Sequence, residues 1–143
     1  MRKMAVIYWS QGGNTEAMAG AIADGAREAG ADVTLLNVSE VDAAKAATFD
    51  ALALGCPAMG AEVLEEAEFE PFFTDLESKL IGKPVALFGS YGWGDGQWMR
   101  DWQERTDHAG ATVYKGEGLM IHETPDEAGL AQCREFGAGF AKA

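Results

Sequence analysis

Residues 4–15 have the sequence Met4-Ala5-Val6-Ile7-Tyr8-Trp9-Ser10-Gln11-Gly12-Gly13-Asn14-Thr15. The first six are apolar, which is typical of a strand buried on both faces of a parallel sheet. From Thr15 onward, apolar residues recur at helical spacing. A turn from such a strand into a helix directs free backbone N–H groups and the positive end of the helix dipole at one point. The stretch therefore predicts an anion site, usually for phosphate; the alternative is that Ser10 or Asn14 only caps the helix.

The rest of the chain continues this alternation of apolar segments with segments of helical period. Strands separated by helices pair in parallel through right-handed crossovers, which predicts an α/β fold, a three-layer sandwich. Neither a repeat nor a linker interrupts the pattern, so a single domain over residues 1–143 is expected. The predicted strands are 4–9, 32–37, 51–56, 84–89 and an interrupted fifth at 112–114 and 119–121, and the predicted helices are about 14–29, 40–47, 66–80, 97–109 and 125–142.

Composition excludes several classes of function. The chain has 143 residues with 11 basic and 23 acidic side chains, a net charge of −12, which disfavours nucleic acid as a partner. No apolar run approaches the roughly 18 residues that span a bilayer, and no basic-then-apolar leader is present, so a cytoplasmic protein without membrane contact is expected. Two cysteines and two histidines show no spacing of a disulfide framework or a metal site.

Three loops with unusual chemistry follow predicted strands, and ligands of such folds lie beyond the carboxyl ends of the strands. The first loop, residues 10–15, offers the hydroxyls of Ser10 and Thr15, the side-chain amide of Asn14 and several backbone N–H groups. It contains no Lys or Arg and lacks the Gly-Lys-Ser/Thr ending of a Walker loop. A phosphate bound there is therefore expected to be held by dipoles alone.

The second loop, residues 57–62, has the sequence Pro57-Ala58-Met59-Gly60-Ala61-Glu62. Gly60 permits a positive φ and a change of peptide orientation that other residues resist. Met59 offers a polarizable sulfur suited to the face of a flat ring, and the Glu62 carboxylate can accept from a ligand N–H. The alternative is a plain turn with a buried methionine.

The third loop, residues 90–96, has the sequence Ser90-Tyr91-Gly92-Trp93-Gly94-Asp95-Gly96. A tryptophan between two glycines fits neither helical nor strand periodicity. The glycines let backbone N–H groups approach a ligand, while the indole is free to stack on a planar ring, unless Trp93 packs in the core. Together the three loops describe a site for a phosphorylated planar heterocycle, and flavin mononucleotide (FMN) fits.

The chain resembles the flavodoxins, in particular the short-chain flavodoxins of anaerobic bacteria. The resemblance is carried by Ser-x-x-Gly-Asn-Thr at 10–15, by Met59-Gly60 followed by Glu62, and by the run Ala-Leu-Phe-Gly-Ser-Tyr-Gly-Trp-Gly-Asp-Gly at 86–96. It implies a flavodoxin-like sandwich with a five-stranded parallel sheet of order 2-1-3-4-5, for which flavodoxin is the standard example. It also implies non-covalently bound FMN as the cofactor.

The resemblance further implies a role for each loop. The first loop is expected to bind the phosphate, Met59 to lie on the inner face of the isoalloxazine and Trp93 on its outer face. Glu62 is expected to accept from flavin N3–H, and the Gly60 carbonyl to turn toward N5 in the one-electron-reduced form. Amides of the third loop are expected at the pyrimidine end. The full set of expected FMN-binding residues is Ser10, Gln11, Gly12, Gly13, Asn14, Thr15, Pro57, Ala58, Met59, Gly60, Glu62, Ser90, Tyr91, Gly92, Trp93, Gly94 and Asp95.

The function implied is a low-potential electron carrier that uses the semiquinone/hydroquinone couple of FMN between redox enzymes, with no catalysis of its own. A flavin enzyme of the same fold, such as a quinone reductase, and a flavodoxin-like activator of another redox enzyme are the alternatives. Redox partners with basic docking faces and a monomeric state are expected. Five acidic residues near the expected flavin edge suit such partners, or only the start of a helix: Glu62, Glu65, Glu66, Glu68 and Glu70.

Overall fold

The computed structural model describes residues 2–143. Its strands are β1 (Lys3–Tyr8), β2 (Asp32–Asn37), β3 (Ala51–Gly55), β4 (Pro84–Tyr91), β5 (Thr112–Val113) and β6 (Leu119–His122). The sheet has the order β2-β1-β3-β4-β5, with every pair of strands parallel, and β6 pairs with β4 beyond the end of β5. β5 and β6 thus share the fifth position, which confirms the predicted order and the interrupted fifth strand.

Helices cover both faces of this sheet. They are α1 (Asn14–Glu28), α2 (Ala43–Ala46), α3 (Phe69–Glu77), α4 (Gln97–His108) and α5 (Glu127–Lys142). α1 and α5 pack with the side chains of one face, whereas α2, α3 and α4 pack with those of the other, so that two apolar clusters form. On α3, the side chains of Phe69, Phe73 and Leu76 are fully buried against the sheet.

The predicted helix at 66–80 begins too early, because the buried carboxylate of Glu65 binds the backbone amides that precede the observed helix. Glu65 accepts hydrogen bonds from the amides of Ala67, Glu68 and Phe69 at 2.8, 2.7 and 2.9 Å. Burial alone would raise the pKa of Glu65, but these three donors stabilise the anion, and the pKa is lowered. Glu65 therefore satisfies N–H groups before and at the first turn of α3, and regular helix begins only at Phe69.

Two other elements differ from expectation, one for a tertiary reason and one for a local reason. β4 extends beyond the predicted residue 89 to Tyr91, because Ser90 and Tyr91 pair with Ile121 and His122 of β6. The predicted helix at 40–47 is instead a 3₁₀ turn at Val38–Glu40 followed by α2, since Asn37 and Asp42 each cap a separate segment.

Within residues 2–143, no helix combines the length and apolar composition needed to cross a bilayer.

Candidate functional site

The first loop presents helix amides that have no hydrogen-bond acceptor among the described residues. Gly13, with φ of 93°, precedes α1, and no side chain in the described part of the chain caps that helix. Ser10 Oγ accepts from the Gly13 amide at 3.1 Å, whereas the amides of Asn14, Thr15 and Glu16 have no acceptor within residues 2–143. The simple capping alternative is therefore wrong. Three free N–H groups at a helix start form a site suited to an anion.

Space beside these amides is open. A Cβ added at Gly12 or at Gly13 would meet no atom within 4 Å. Behind the loop, the buried Thr15 hydroxyl lies 3.0 Å from Ser90 Oγ and accepts from the Ser90 amide at 3.3 Å. These bonds fix the start of α1 to the end of β4, so the first loop lies beside the third.

The second loop is a tight turn that is joined to its neighbours by hydrogen bonds. The backbone groups of Met59 and Val63 exchange two hydrogen bonds of 2.9 Å, with Gly60 at φ 49° and Glu62 at φ 56° between them. Ala58 donates to the Ser90 carbonyl at 3.1 Å. Met59 is only partly buried, which disfavours the plain turn with a buried methionine.

Glu62 connects the second loop with the third. Its Oε1 accepts from the Asp95 amide at 3.0 Å and its Oε2 from the Trp98 amide at 3.2 Å. A Cβ at Gly94 would lie 1.5 Å from Oε1, so this close approach requires glycine there. A carboxylate has about four acceptor positions, and two remain for a ligand N–H. Glu62 adopts a left-handed backbone that costs a non-glycine residue on the order of 1 kcal/mol or more, a strain typical of functional sites.

The third loop exposes its aromatic ring and most of its amides. Trp93 is 59% exposed, so the alternative of core packing is wrong for this residue. Among the amides of residues 92–96, only that of Asp95 has a protein acceptor within the described chain. Ser90 and Tyr91, expected in this loop, belong instead to the end of β4. The three loops thus converge at one edge of the sheet, as the positions of the strand ends require.

Two residues at this edge were missed by sequence reasoning. Arg100 of α4 donates to the Asp95 carboxylate at 2.9 Å, so a cation contacts the third loop although the loops themselves contain none. His122, at the end of β6, lies with its ring centroid 5.0 Å from that of Tyr91. Trp98, in the first turn of α4, is buried and donates from Nε1 to the Cys56 carbonyl.

The acidic residues of the expected cluster have different surroundings. Glu65 is buried as described, and Glu70 binds Arg105 through two hydrogen bonds of 2.8 and 2.6 Å. Those bonds lower the pKa of Glu70 and raise that of Arg105. Of the remaining members, Glu66 and Glu68 are exposed, whereas Glu62 is partly buried.

The described residues offer little other chemistry. Both cysteines are free and buried; burial raises the pKa of Cys56 and raises that of Cys133 to about 12, so both thiols stay protonated near neutral pH. Within residues 2–143, no group of His, Cys, Asp and Glu side chains is arranged to hold a metal ion.

The three loops together present unpaired amides at a helix start, an exposed indole and a carboxylate. This combination fits a phosphorylated planar ligand such as FMN.

Comparison with known proteins agrees with this geometry. The flavodoxin family model matches residues 6–137. The chain belongs to the flavodoxin family. It is 52% identical to the flavodoxin of Clostridium beijerinckii and 50% identical to that of Megasphaera elsdenii, each over 138 residues that cover 96% of this chain and 99% and 98% of the relatives.

The fold agrees equally well. A solution structure of the two-electron reduced Megasphaera elsdenii flavodoxin superimposes with a TM-score of 0.87 at 50% identity, covering 98% of this chain and 99% of that one. Flavodoxins bind FMN and transfer electrons. The chain is accordingly an FMN-binding electron carrier of the flavodoxin family and not an enzyme, and the cofactor supplies the redox chemistry while the protein binds and tunes it.

Proposed function

We propose that the chain carries one electron at a time between redox enzymes, at low potential, on the semiquinone/hydroquinone couple of non-covalently bound FMN. The observation that supports this proposal is the convergence of the three loops. Thr15 and Ala58 bond to Ser90, and Glu62 bonds to Asp95. A free indole, a cluster of amides and a carboxylate are thereby presented at one edge of the sheet.

Each loop has a proposed role toward FMN. The first loop holds the phosphate through the amides at the start of α1, with Ser10 and Asn14 as polar neighbours. Met59 and Trp93 lie on the two faces of the ring system, and Glu62 accepts from N3–H with its remaining lone pairs. The proposed FMN-binding residues remain Ser10, Gln11, Gly12, Gly13, Asn14, Thr15, Pro57, Ala58, Met59, Gly60, Glu62, Ser90, Tyr91, Gly92, Trp93, Gly94 and Asp95.

The charges around the site favour a low potential for the second electron. The three loops contain no Lys or Arg, and the contacting cation Arg100 is offset by the Asp95 carboxylate. Glu62 places a further carboxylate at the ring edge. Negative charge added to the cofactor is therefore close to like charge, without a cationic side chain in the loops to balance it, in a site partly shielded from water.

The same charges suit partners with basic docking faces. The net charge is −12, and Glu66 and Glu68 extend from the surface near the second loop. Charge complementarity of this kind raises association rates more than it raises affinity. We propose that the chain meets such partners as a monomer in the cytoplasm, where its two free cysteines suit a reducing environment.

FMN binding tests this function directly. The purified chain is expected to be yellow and to release about one FMN per chain in acid, because flavins bound non-covalently leave when the fold is lost. The FMN-free chain is expected to bind riboflavin more weakly than FMN, because riboflavin lacks the phosphate that the free amides of α1 bind. Absorbance and fluorescence titrations measure both affinities.

Two outcomes of these titrations would contradict the proposal. A chain that stays colourless after incubation with excess FMN would overturn the function as a whole. Equal affinities for riboflavin and FMN would leave flavin binding intact but would contradict the phosphate role of the first loop.

A further inference from the structure

A fourth segment reaches the proposed FMN site beside the three loops. β6 pairs in parallel with the end of β4, with Tyr91 opposite His122. Its carboxyl end therefore emerges at the same edge of the sheet, directly beside the third loop. The next amide, that of Glu123, donates to the Tyr91 carbonyl at 2.7 Å and continues this pairing to the start of the loop.

The His122 ring contacts the third loop through its Nε2 atom. This atom lies 3.3 Å from the carbonyl oxygen of Gly92. A carbonyl oxygen only accepts, so the contact requires a proton on Nε2, which both the Nε2–H tautomer and the doubly protonated ring supply. Nδ1 faces Glu123 Oε1 at 3.5 Å, and the ring packs against Tyr91. The Gly92 carbonyl and the Tyr91 ring thus orient an exposed side chain, and the Glu123 carboxylate attracts the ring when Nδ1 is also protonated.

The bonded carbonyl belongs to the same peptide group as the Trp93 amide. That amide has no acceptor within residues 2–143, and it lies at the base of the exposed indole. A hydrogen bond to a carbonyl fixes the plane of its peptide and polarises it, which strengthens the N–H on the other side as a donor. Glycines on both sides of Trp93 leave this peptide otherwise weakly constrained.

We propose that His122 is a positioning residue of the FMN site, which holds the Gly92–Trp93 peptide so that its N–H is directed to the cofactor and the indole is placed over the ring. The proposal rests on the proposed function, because it assigns the third loop to the flavin. His122 acts through the loop and touches no cofactor atom in this role.

Three variants test the proposal. His122→Leu removes the donor and keeps an apolar contact with Tyr91, whereas His122→Gln keeps an N–H donor at a similar reach. His108→Leu is the matched control, since His108 is also exposed but ends α4, away from the three loops. FMN dissociation constants are measured by fluorescence titration, and the Trp93 amide of the FMN-free chain is followed by ¹H–¹⁵N NMR.

His122→Leu is expected to raise the FMN dissociation constant about twofold to tenfold, the range for the loss of one hydrogen bond, and to shift the Trp93 amide resonance in the FMN-free chain. His122→Gln is expected to restore both properties, and His108→Leu to change neither. An unchanged dissociation constant in His122→Leu would overturn the proposal. Equal defects in the Leu and Gln variants would also overturn it, because packing of the ring and not the hydrogen bond would then matter.

The same experiment separates this proposal from the proposed function. If the unaltered chain binds no FMN, the proposed function fails and this inference fails with it. If the unaltered chain binds FMN and all variants bind it equally, only the role of His122 is refuted.

Discussion

Replacing Trp93 with alanine is expected to weaken FMN binding several-fold or more without changing the stability of the FMN-free chain. The indole is 59% exposed and contributes little to folding. Stacking on a ring adds roughly 0.5–1.5 kcal/mol beyond the apolar area that it buries. FMN titration measures the affinity, and urea unfolding of the FMN-free chain measures its free energy of unfolding.

Trp102 provides the matched control with the opposite outcome. It is buried against Phe69 and Phe73, with edge-on ring contacts at 5.5 and 5.9 Å. Trp102→Ala is expected to lower the free energy of unfolding by about 3–5 kcal/mol, and folded Trp102→Ala to bind FMN almost as the parent does. Trp102→Phe gives the same comparison with a smaller cavity. If Trp93→Ala and the Trp102 variants bound FMN equally, the role of Trp93 would be refuted.

Replacing Gly60 with valine is expected to lower the fraction of semiquinone at half reduction while FMN stays bound. Gly60 has φ of 49°, and an added Cβ would meet no atom within 4 Å. The cost of valine is therefore conformational: a β-branched residue resists this backbone and the rotation of the 60–61 peptide that offers the Gly60 carbonyl to the cofactor. Stepwise reduction followed by absorbance measures the fraction.

Gly82 is the matched control for backbone strain. Its φ is 74° and its surroundings are equally open, but it lies between α3 and β4, at the opposite end of the sheet from the three loops. Gly82→Val is expected to lower stability without changing the semiquinone fraction. If Gly60→Val accumulates as much semiquinone as the parent, the proposed role of the Gly60 peptide is wrong.

The strand, turn and helix at residues 4–28 were predictable because local pattern determines each of them. An apolar run, a glycine-containing turn and a helical period can each be recognised from neighbouring residues alone, without knowledge of tertiary contacts. The sheet order came from resemblance, since no local pattern states which strands are neighbours. The proposed site residues lie at one edge of the sheet because the carboxyl ends of its parallel strands all lie there.

Features that depend on distant contacts were not predictable in the same way. Glu65 lies in an acidic stretch of the sequence, and only in the folded chain does its carboxylate accept from three backbone amides, those of Ala67, Glu68 and Phe69. The predicted fourth strand ends two residues too early, because the last residues of β4 pair with β6, which lies about 30 residues later in the sequence. His122 and Arg100 looked like ordinary surface residues, although the end of β6 and the first turn of α4 necessarily lie beside the third loop.

Stepwise reduction of the purified, FMN-loaded parent chain tests the proposed function most directly. The absorption spectrum is recorded after each addition of reductant under anaerobic conditions. We expect two resolved one-electron steps, with a blue neutral semiquinone that forms first and a second electron that enters at a much lower potential. A single two-electron step from oxidised to fully reduced FMN, without a blue intermediate, would contradict one-electron transfer as the function of this chain.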